Sequence, residues 1–379
     1  MKRVCHVTSA HRRYDTRIFQ KECRTLAKEG YEVYLLVNDG NGSEVREQVK
    51  IISTGFWAQN RKDRFFKSHK KLLEKALEIN ADIYHFHDPD LLFWGLRLKK
   101  KGKTVIFDSH EIVREDIMDK AYIPKVMRFL ISKVYSVCEE YVLKSIDAVI
   151  GVDPYQMRLL NKIGNNATMI TNYPECIEVE DREITKNGIC FAGAICSLWS
   201  HEKILNILDK TDVKYRLCGV AEDLYLENLK KHRNWKYVDY KGVMDHEDVL
   251  GFLEESIAGM ALLGRIHNLG PEGTLGNTKI FEYMRAGIPI IATDFPLWKR
   301  IINKYKCGIC VDLDKEEEII EAIHFICNNP VEARKMGENG RQAYMEKFNW
   351  DTQIPALVGL YKKLENHKGY KKQNRARPY

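Results

Sequence analysis

The chain has 379 residues, is 44% apolar and 30% charged, and carries a formal net charge of +7. That is too long for one ordinary core and fits a two-domain globular protein. No apolar run reaches the roughly 20 residues needed to span a bilayer, which excludes a helical integral membrane protein.

Strand and helix patterns alternate from the start. Val4–Thr8 reads as a strand, Thr16–Glu29 as a helix closed by Gly30, and Glu32–Val37 and Val49–Ser53 as strands. Lys62–Leu77 reads as helix, Asp82–His87 as strand, Leu91–Lys101 as helix and Thr104–Asp108 as strand. One long helical region then runs to Lys144, before the strand Ala148–Val152. A polar, acidic stretch follows Asn172-Tyr173-Pro174 to Asn187 and reads as a linker.

A second series begins at Ile189–Ala192. Its strands are Lys214–Cys218, Tyr237–Tyr240, Ala258–Leu262, Ile288–Ala292 and Gly308–Val311, followed by helices Glu318–Asn328, Val331–Phe348 and Thr352–Glu365. Two βα series predict an α/β fold of two Rossmann-like, doubly wound parallel sheets. The expected divisions are residues 1–172, 188–349, a final helix over 350–365 and a basic tail over 366–379.

Charge is uneven. Residues 1–178 carry a net +6, residues 179–365 a net −4, and the tail has five basic residues and no acidic ones. A basic first half points to an anionic partner: nucleic acid, a membrane surface or a phosphorylated substrate. No nucleic-acid-binding module is apparent, so no nucleic-acid partner is expected. The stretches Arg61–Leu73 and Lys125–Tyr135 mix cations with aromatic and aliphatic residues. Each fits an amphipathic helix on an anionic membrane, or a core helix with a solvated basic face.

Met1-Lys2-Arg3-Val4-Cys5-His6-Val7 has no signal-peptide h-region, so a cytoplasmic location is expected. The ten cysteines are scattered, several within apolar runs (Cys5, Cys190, Cys218, Cys310), as reduced buried thiols are. Cys307-Gly308-Ile309-Cys310 has redox spacing, but no second pair accompanies it for zinc.

The most specific stretch runs from Gly276 to Ala292. Asn277 or Thr278 can cap a short helix that Gly287 ends, and a buried strand follows. Lys279 and Glu282, three apart, share a face near the helix start. Unpaired N–H groups and a partial positive charge there suit a phosphate. The pair can therefore hold a nucleotide, Lys on phosphate and Glu on ribose, or be an ordinary surface ion pair.

Ligands of doubly wound sheets sit beyond the carboxyl ends of the strands. In the first half those ends carry Thr8, Ser9, Ala10 and His11; His87, Asp88 and Asp90; and Asp108, Ser109, His110 and Glu111. In the second half they carry Gly193, Gly219, Gly242 and Arg265. His85 and His87 are expected on opposite sides of their strand, which argues against a metal shared between them.

Three segments carry a family resemblance: His6–Phe19; Asp82–Asp90 with Phe107–Glu111; and Gly276–Ala292 with Asp294–Trp298 and Cys307–Val311. They resemble the family 4 glycosyltransferases of GT-B fold, in particular bacterial members that assemble surface polysaccharides such as O-antigen, capsule or exopolysaccharide. The resemblance implies two Rossmann-like domains facing across a cleft. The C-terminal one takes a nucleotide-diphosphate sugar, the N-terminal one takes the acceptor, and the final helix crosses back to the first domain.

Carried over residue by residue, Glu282 binds the ribose and Lys279 lies near the diphosphate, with Gly193, Lys203, Gly219, Arg265 and Thr278 around the donor. His11, Arg12, Asp15, Arg17 and His87 fall to the acceptor, and His110, Glu111, Asp88 and Lys279 are the catalytic candidates. The resemblance further implies transfer without a metal or other cofactor, with retention, onto a saccharide that is free or polyprenyl-linked. A lipid-linked acceptor would bring the cytoplasmic protein to the inner face of the plasma membrane.

There are departures. The family often has two glutamates eight apart, and Thr274 stands eight before Glu282. In the segment Gly193–Lys203, only Lys203 is an obvious cation for a diphosphate. Two other readings stay open: a nucleotide-sugar epimerase or hydrolase on the same fold, and a non-enzymatic binder of anionic ligands.

Overall fold

Mostly parallel strands form the two sheets of the protein, in a computed structural model describing residues 2–56, 63, 67–164, 166–177 and 186–375. The chain divides into two compact units, Met1–Asn172 with Gln353–Tyr379, and Tyr173–Thr352.

The first unit holds strands β1 (Arg3–Val7), β2 (Glu32–Val37), β3 (Glu44–Arg46), β4 (Val49–Ser53), β5 (Ile83–Phe86), β6 (Thr104–Asp108), β7 (Ala148–Gly151) and β8 (Ala167–Met169). Their order is β3-β4-β2-β1-β5-β6-β7-β8, all parallel except β3 on β4. Cys5, Tyr84, Phe86, Val105 and Phe107 pack in one apolar cluster with Leu92, Leu98 and Leu143 of the covering helices. Runs such as Ile83–Phe86 and Thr104–Asp108 are buried at every position, as a sheet covered on both sides requires.

The second unit holds β9 (Ile189–Ala192), β10 (Tyr215–Cys218), β11 (Val238–Tyr240), β12 (Ala258–Ala261), β13 (Ile290–Thr293) and β14 (Gly308–Val311), ordered β11-β10-β9-β12-β13-β14 and all parallel. In each sheet the strand order reverses beside the first strand, at β1/β5 and at β9/β12. A ligand site of a doubly wound sheet opens at such a reversal.

Several elements depart from expectation. The first helix starts later than Thr16: a π-helical turn, Ile18–Cys23, leads into Arg24–Lys28. Asp15 holds its start, its Oδ1 accepting from the Arg17 and Ile18 N–H groups at 2.8 and 2.9 Å. The single long helix before Lys144 is two, Val113–Asp119 and Lys125–Ser145, with Pro124 at the start of the second. The strand expected from Ile288 begins at Ile290, because the Ile288 N–H is drawn back to the Tyr283 carbonyl.

The short edge strands β3 and β8, and helices His201–Thr211, Asp223–Lys230 and His246–Glu254, add to the reading. The last helix runs from Ile354 to Arg375 and belongs to the first unit. Most of Arg61–Phe66 and of the expected linker lies outside the described residues. No described helix is long and apolar enough to cross a membrane.

Candidate active site

In the second unit, the chain leaves β9 at Gly193 and β10 at Gly219, both with positive φ (153° and 135°). Gly193 N–H donates to the Cys218 carbonyl at 3.0 Å, and Gly219 N–H to the Gly242 carbonyl at 2.8 Å. A Cβ on Gly219 would overlap the Gly193 carbonyl, so the two strand ends close on each other only with glycine at 219. Beside them begins the helix Lys279–Ala286.

Its inner face (Ile280, Phe281, Tyr283, Met284) is buried in the core, while Lys279 and Glu282 stand near the helix start. Lys279 Nζ donates to Glu282 Oε2 at 2.8 Å, and Thr278 Oγ1 donates to Glu282 Oε1 at 2.7 Å. Burial opposes ionisation of Glu282. The Lys279 charge and the hydrogen bonds from Lys279 and Thr278 overcome it, bringing the carboxyl down to about 2. The site therefore presents a carboxylate and an ammonium on one surface at neutral pH.

Thr278 does not cap the helix as expected. It occupies the capping position, but its hydroxyl serves Glu282, so its own side chain does not take up the first N–H groups. The other two expected cations are engaged by carboxylates: Arg265 with Asp294 at 2.5 Å, and Lys203 with Asp314 at 3.2 Å.

In the first unit, the loops after β1 and β5 are tied together by Asp88. Its Oδ2 accepts from Thr8 Oγ1 and from the Ser9 N–H, both at 2.7 Å, and Oδ1 lies 3.2 Å from His11 Nδ1. Ser9 Oγ in turn donates to Asp90 at 3.0 Å. Burial works against the Asp88 charge, but His11, Thr8 and Ser9 hold the carboxyl well below its usual range. The reciprocal effect raises His11: burial lowers its pKa and the Asp88 bond and charge more than restore it. Asp88 is thus a buried clasp between loops.

Arg17 is also buried. Its guanidinium makes a bidentate pair with Asp108, at 2.7 and 2.9 Å, and donates to the Ile170 carbonyl at 3.1 Å. Asp15 caps the π-helical turn, as described above. The expected acceptor residues Asp15 and Arg17 are therefore committed to the fold through hydrogen bonds inside it. Arg12 is exposed, His11 partly so, and Glu111 is exposed with its carbonyl accepting from Ser109 Oγ at 3.0 Å. His110 is partly exposed, and its Nε2 lies 2.9 Å from Asp108 Oδ2.

His85 and His87 do not point to opposite sides. Their rings stack with centroids 4.5 Å apart, because residues two apart along an extended chain share a face. Both are buried beside His6 and Glu22.

Residues 16–178 match the model of Glycosyltransferase Family 4, and residues 186–343 that of Glycosyl transferases group 1, together most of the chain. The chain belongs to glycosyltransferase family 4. This glycosyltransferase is 22% identical over 312 residues to the O-antigen chain mannosyltransferase C of Escherichia coli, covering 78% of this chain and 79% of that one. Among solved structures, sucrose-phosphate synthase from Thermosynechococcus elongatus matches with a TM-score of 0.77 at 16% identity, over 97% of this chain and 100% of that one. Anabaena Alr3699/HepE, in complex with UDP and glucose, matches with a TM-score of 0.70 at 10% identity, over 96% and 100%.

The reading of the glycosyltransferase from sequence did not single out Glu22 or Tyr361, or give His6 a role. Glu22 sits in a lysine-rich helical pattern, and Tyr361, whose hydroxyl is 2.8 Å from His85 Nδ1, arrives from the far end of the chain. The one available signal was the alternation His6, Thr8 and His85, His87 in two strands that a parallel sheet sets side by side.

Proposed function

We propose that this glycosyltransferase moves a sugar from a nucleotide-diphosphate donor to a saccharide acceptor in bacterial surface-polysaccharide synthesis, with retention of configuration. The observation that carries the reading is the Thr278–Lys279–Glu282 constellation at the reversal of the second sheet. Glu282 is ionised and ready to accept from ribose hydroxyls. Lys279 and the N–H groups at the start of its helix face the diphosphate. Negative charge builds on that diphosphate as the sugar leaves, and fixed donors stabilise it without reorganising. Gly193 and Gly219 let the group approach the backbone.

On this reading no metal serves the diphosphate. The acceptor lies on the first unit, where His110 and His11 orient the attacking hydroxyl, Arg12 and Glu111 border it, and Asp88 fixes the loops that carry it. The departing phosphate takes the hydroxyl proton. The similarity to an O-antigen mannosyltransferase and to a UDP-binding protein supports a nucleotide sugar and a saccharide as substrates.

The helix Lys125–Ser145 supports a lipid-linked acceptor at the inner membrane face. Val126, Leu130, Val134, Val137 and Tyr141 are exposed and fall on one helical stripe, with Lys133 and Lys144 beside it.

A panel of nucleotide sugars with Glu282→Ala and Lys279→Ala tests the donor site. Glu282→Ala is expected to lose most transfer with its circular dichroism intact, and Lys279→Ala to bind nucleoside diphosphate more weakly in calorimetry. Turnover of Glu282→Ala at the wild-type rate refutes the assignment. Sugar isomerisation or hydrolysis at full rate without an acceptor would favour an epimerase or hydrolase instead.

A further inference from the structure

We propose that His6, Glu22, His85 and His87 form a binding site for one divalent transition-metal ion, zinc foremost, in the core of the first unit. The site is separate from the donor chemistry and serves the fold. Parallel pairing of β1 with β5 sets His6 opposite His85. His87 follows two residues on, and the π-helical turn brings in Glu22. Ring centroids lie 4.6 Å apart for His6–His85, 4.5 Å for His85–His87 and 5.2 Å for His6–His87.

The donor atoms converge. Glu22 Oε2 lies 3.8 Å from His6 Nδ1, 3.8 Å from His85 Nδ1 and 3.9 Å from His87 Nε2, while His6 Nδ1 and His87 Nε2 are 2.9 Å apart. All four lie within 4.8 Å of one another. A tetrahedral ion with bonds of about 2.0–2.1 Å needs donors roughly 3.3 Å apart, so the four groups would draw together around the ion to complete the cage. Three imidazoles and a carboxylate suit zinc and its neighbours.

The polar accounting asks for an occupant. Neither Glu22 carboxylate oxygen has a hydrogen-bond partner, and all four side chains are buried. Arg17 lies 3.1 Å from Glu22 Oε1, but its hydrogen bonds go to Asp108 and the Ile170 carbonyl. Two buried carboxylates then share one guanidinium, and a buried carboxylate without a partner requires a proton or a cation.

An outer shell is in place. His87 Nδ1 faces Asp108 Oδ2 at 3.4 Å, the carboxylate–histidine arrangement that orients a metal-bound ring. The Tyr361 hydroxyl now meets His85 Nδ1 at 2.8 Å and lies 3.4 Å from His6 Nε2. Ligation through His85 Nδ1 shifts that hydroxyl to His6. The neighbouring trio His87, Asp108 and His110 is a poorer cage, because Asp108 is committed to Arg17.

The full chain, purified without a histidine tag from zinc-supplemented cells and dialysed against chelator, tests this. Metal analysis is expected to find about one zinc per chain, retained in the native state and released on unfolding in guanidinium. Refolding with cobalt should give the visible absorption of a tetrahedral site. Glu22→Gln and His85→Ala should lose the metal, while Lys203→Ala keeps it. A wild-type chain that takes up neither zinc nor cobalt on refolding, with an unchanged melting temperature, overturns the proposal and assigns a proton to Glu22. Equal metal content in the Glu22→Gln and His85→Ala variants overturns it as well. Should those variants not fold, the wild-type stoichiometry and cobalt spectrum decide alone.

Discussion

Gly193 and Lys279 compete for one space. A Cβ at position 193 would lie 2.7 Å from Lys279 Cε and 3.1 Å from its Nζ. The absence of a side chain after β9 is what lets Lys279 lie over the strand end, its Nζ 5.9 Å from the Phe191 ring centre. Gly193→Ala is therefore expected to displace Lys279 and strain the backbone, weakening nucleoside diphosphate binding about tenfold in calorimetry. A Cβ added at Gly251, in the helix His246–Glu254, meets only open space, so Gly251→Ala should leave binding unchanged. Equal affinities for the two variants would remove Gly193 from the donor site.

Arg17 and Asp108 form a buried pair in the first unit. Arg17→Met leaves Asp108 and Glu22 buried without their guanidinium, a loss expected to cost about 3–5 kcal/mol. Urea denaturation measures it. A loss below about 1 kcal/mol would mean that the carboxylates are already neutralised by another group.

The acid limb of stability carries a signature of Glu282. Its native pKa of about 2 lies below the ordinary 4.5, so its contribution is complete above pH 4.5 and is lost as the pH falls towards 2. Between those limits wild type should lose on the order of 2 kcal/mol more than Glu282→Gln. Denaturation of both proteins at pH 6, 4 and 3 checks this, and parallel curves would show that Lys279 and Thr278 do not hold the carboxylate.

The exposed stripe of Lys125–Ser145 makes membrane association directly testable. Val134→Glu combined with Val137→Glu should abolish co-flotation with anionic liposomes at low salt and leave the melting temperature within about 1 °C, since both side chains are exposed. Undiminished flotation of the double variant, or none by wild type, would place the stripe outside any membrane contact.

The alternation of strands and helices, the two-sheet class and the helix that carries Lys279 and Glu282 are legible in the residues alone. Those features rest on local pattern: apolar runs bounded by glycine, the 3.6-residue period, and charges three apart. The residues at the strand ends are legible too, because the carboxyl-end rule needs only strand boundaries. Tertiary structure decided what those residues do. Asp15 became a cap, Arg17 a buried partner of Asp108 and Asp88 a clasp between loops, since each partner lies on a different element or depends on a turn geometry that no short pattern encodes. Parallel register set His6 against His85, 79 positions away, and the last helix brought Tyr361 to them. Pairing across a sheet is chosen by the packing of the whole core, so a cluster built from two strands, a π-helical turn and a distant helix exists only once the chain has folded.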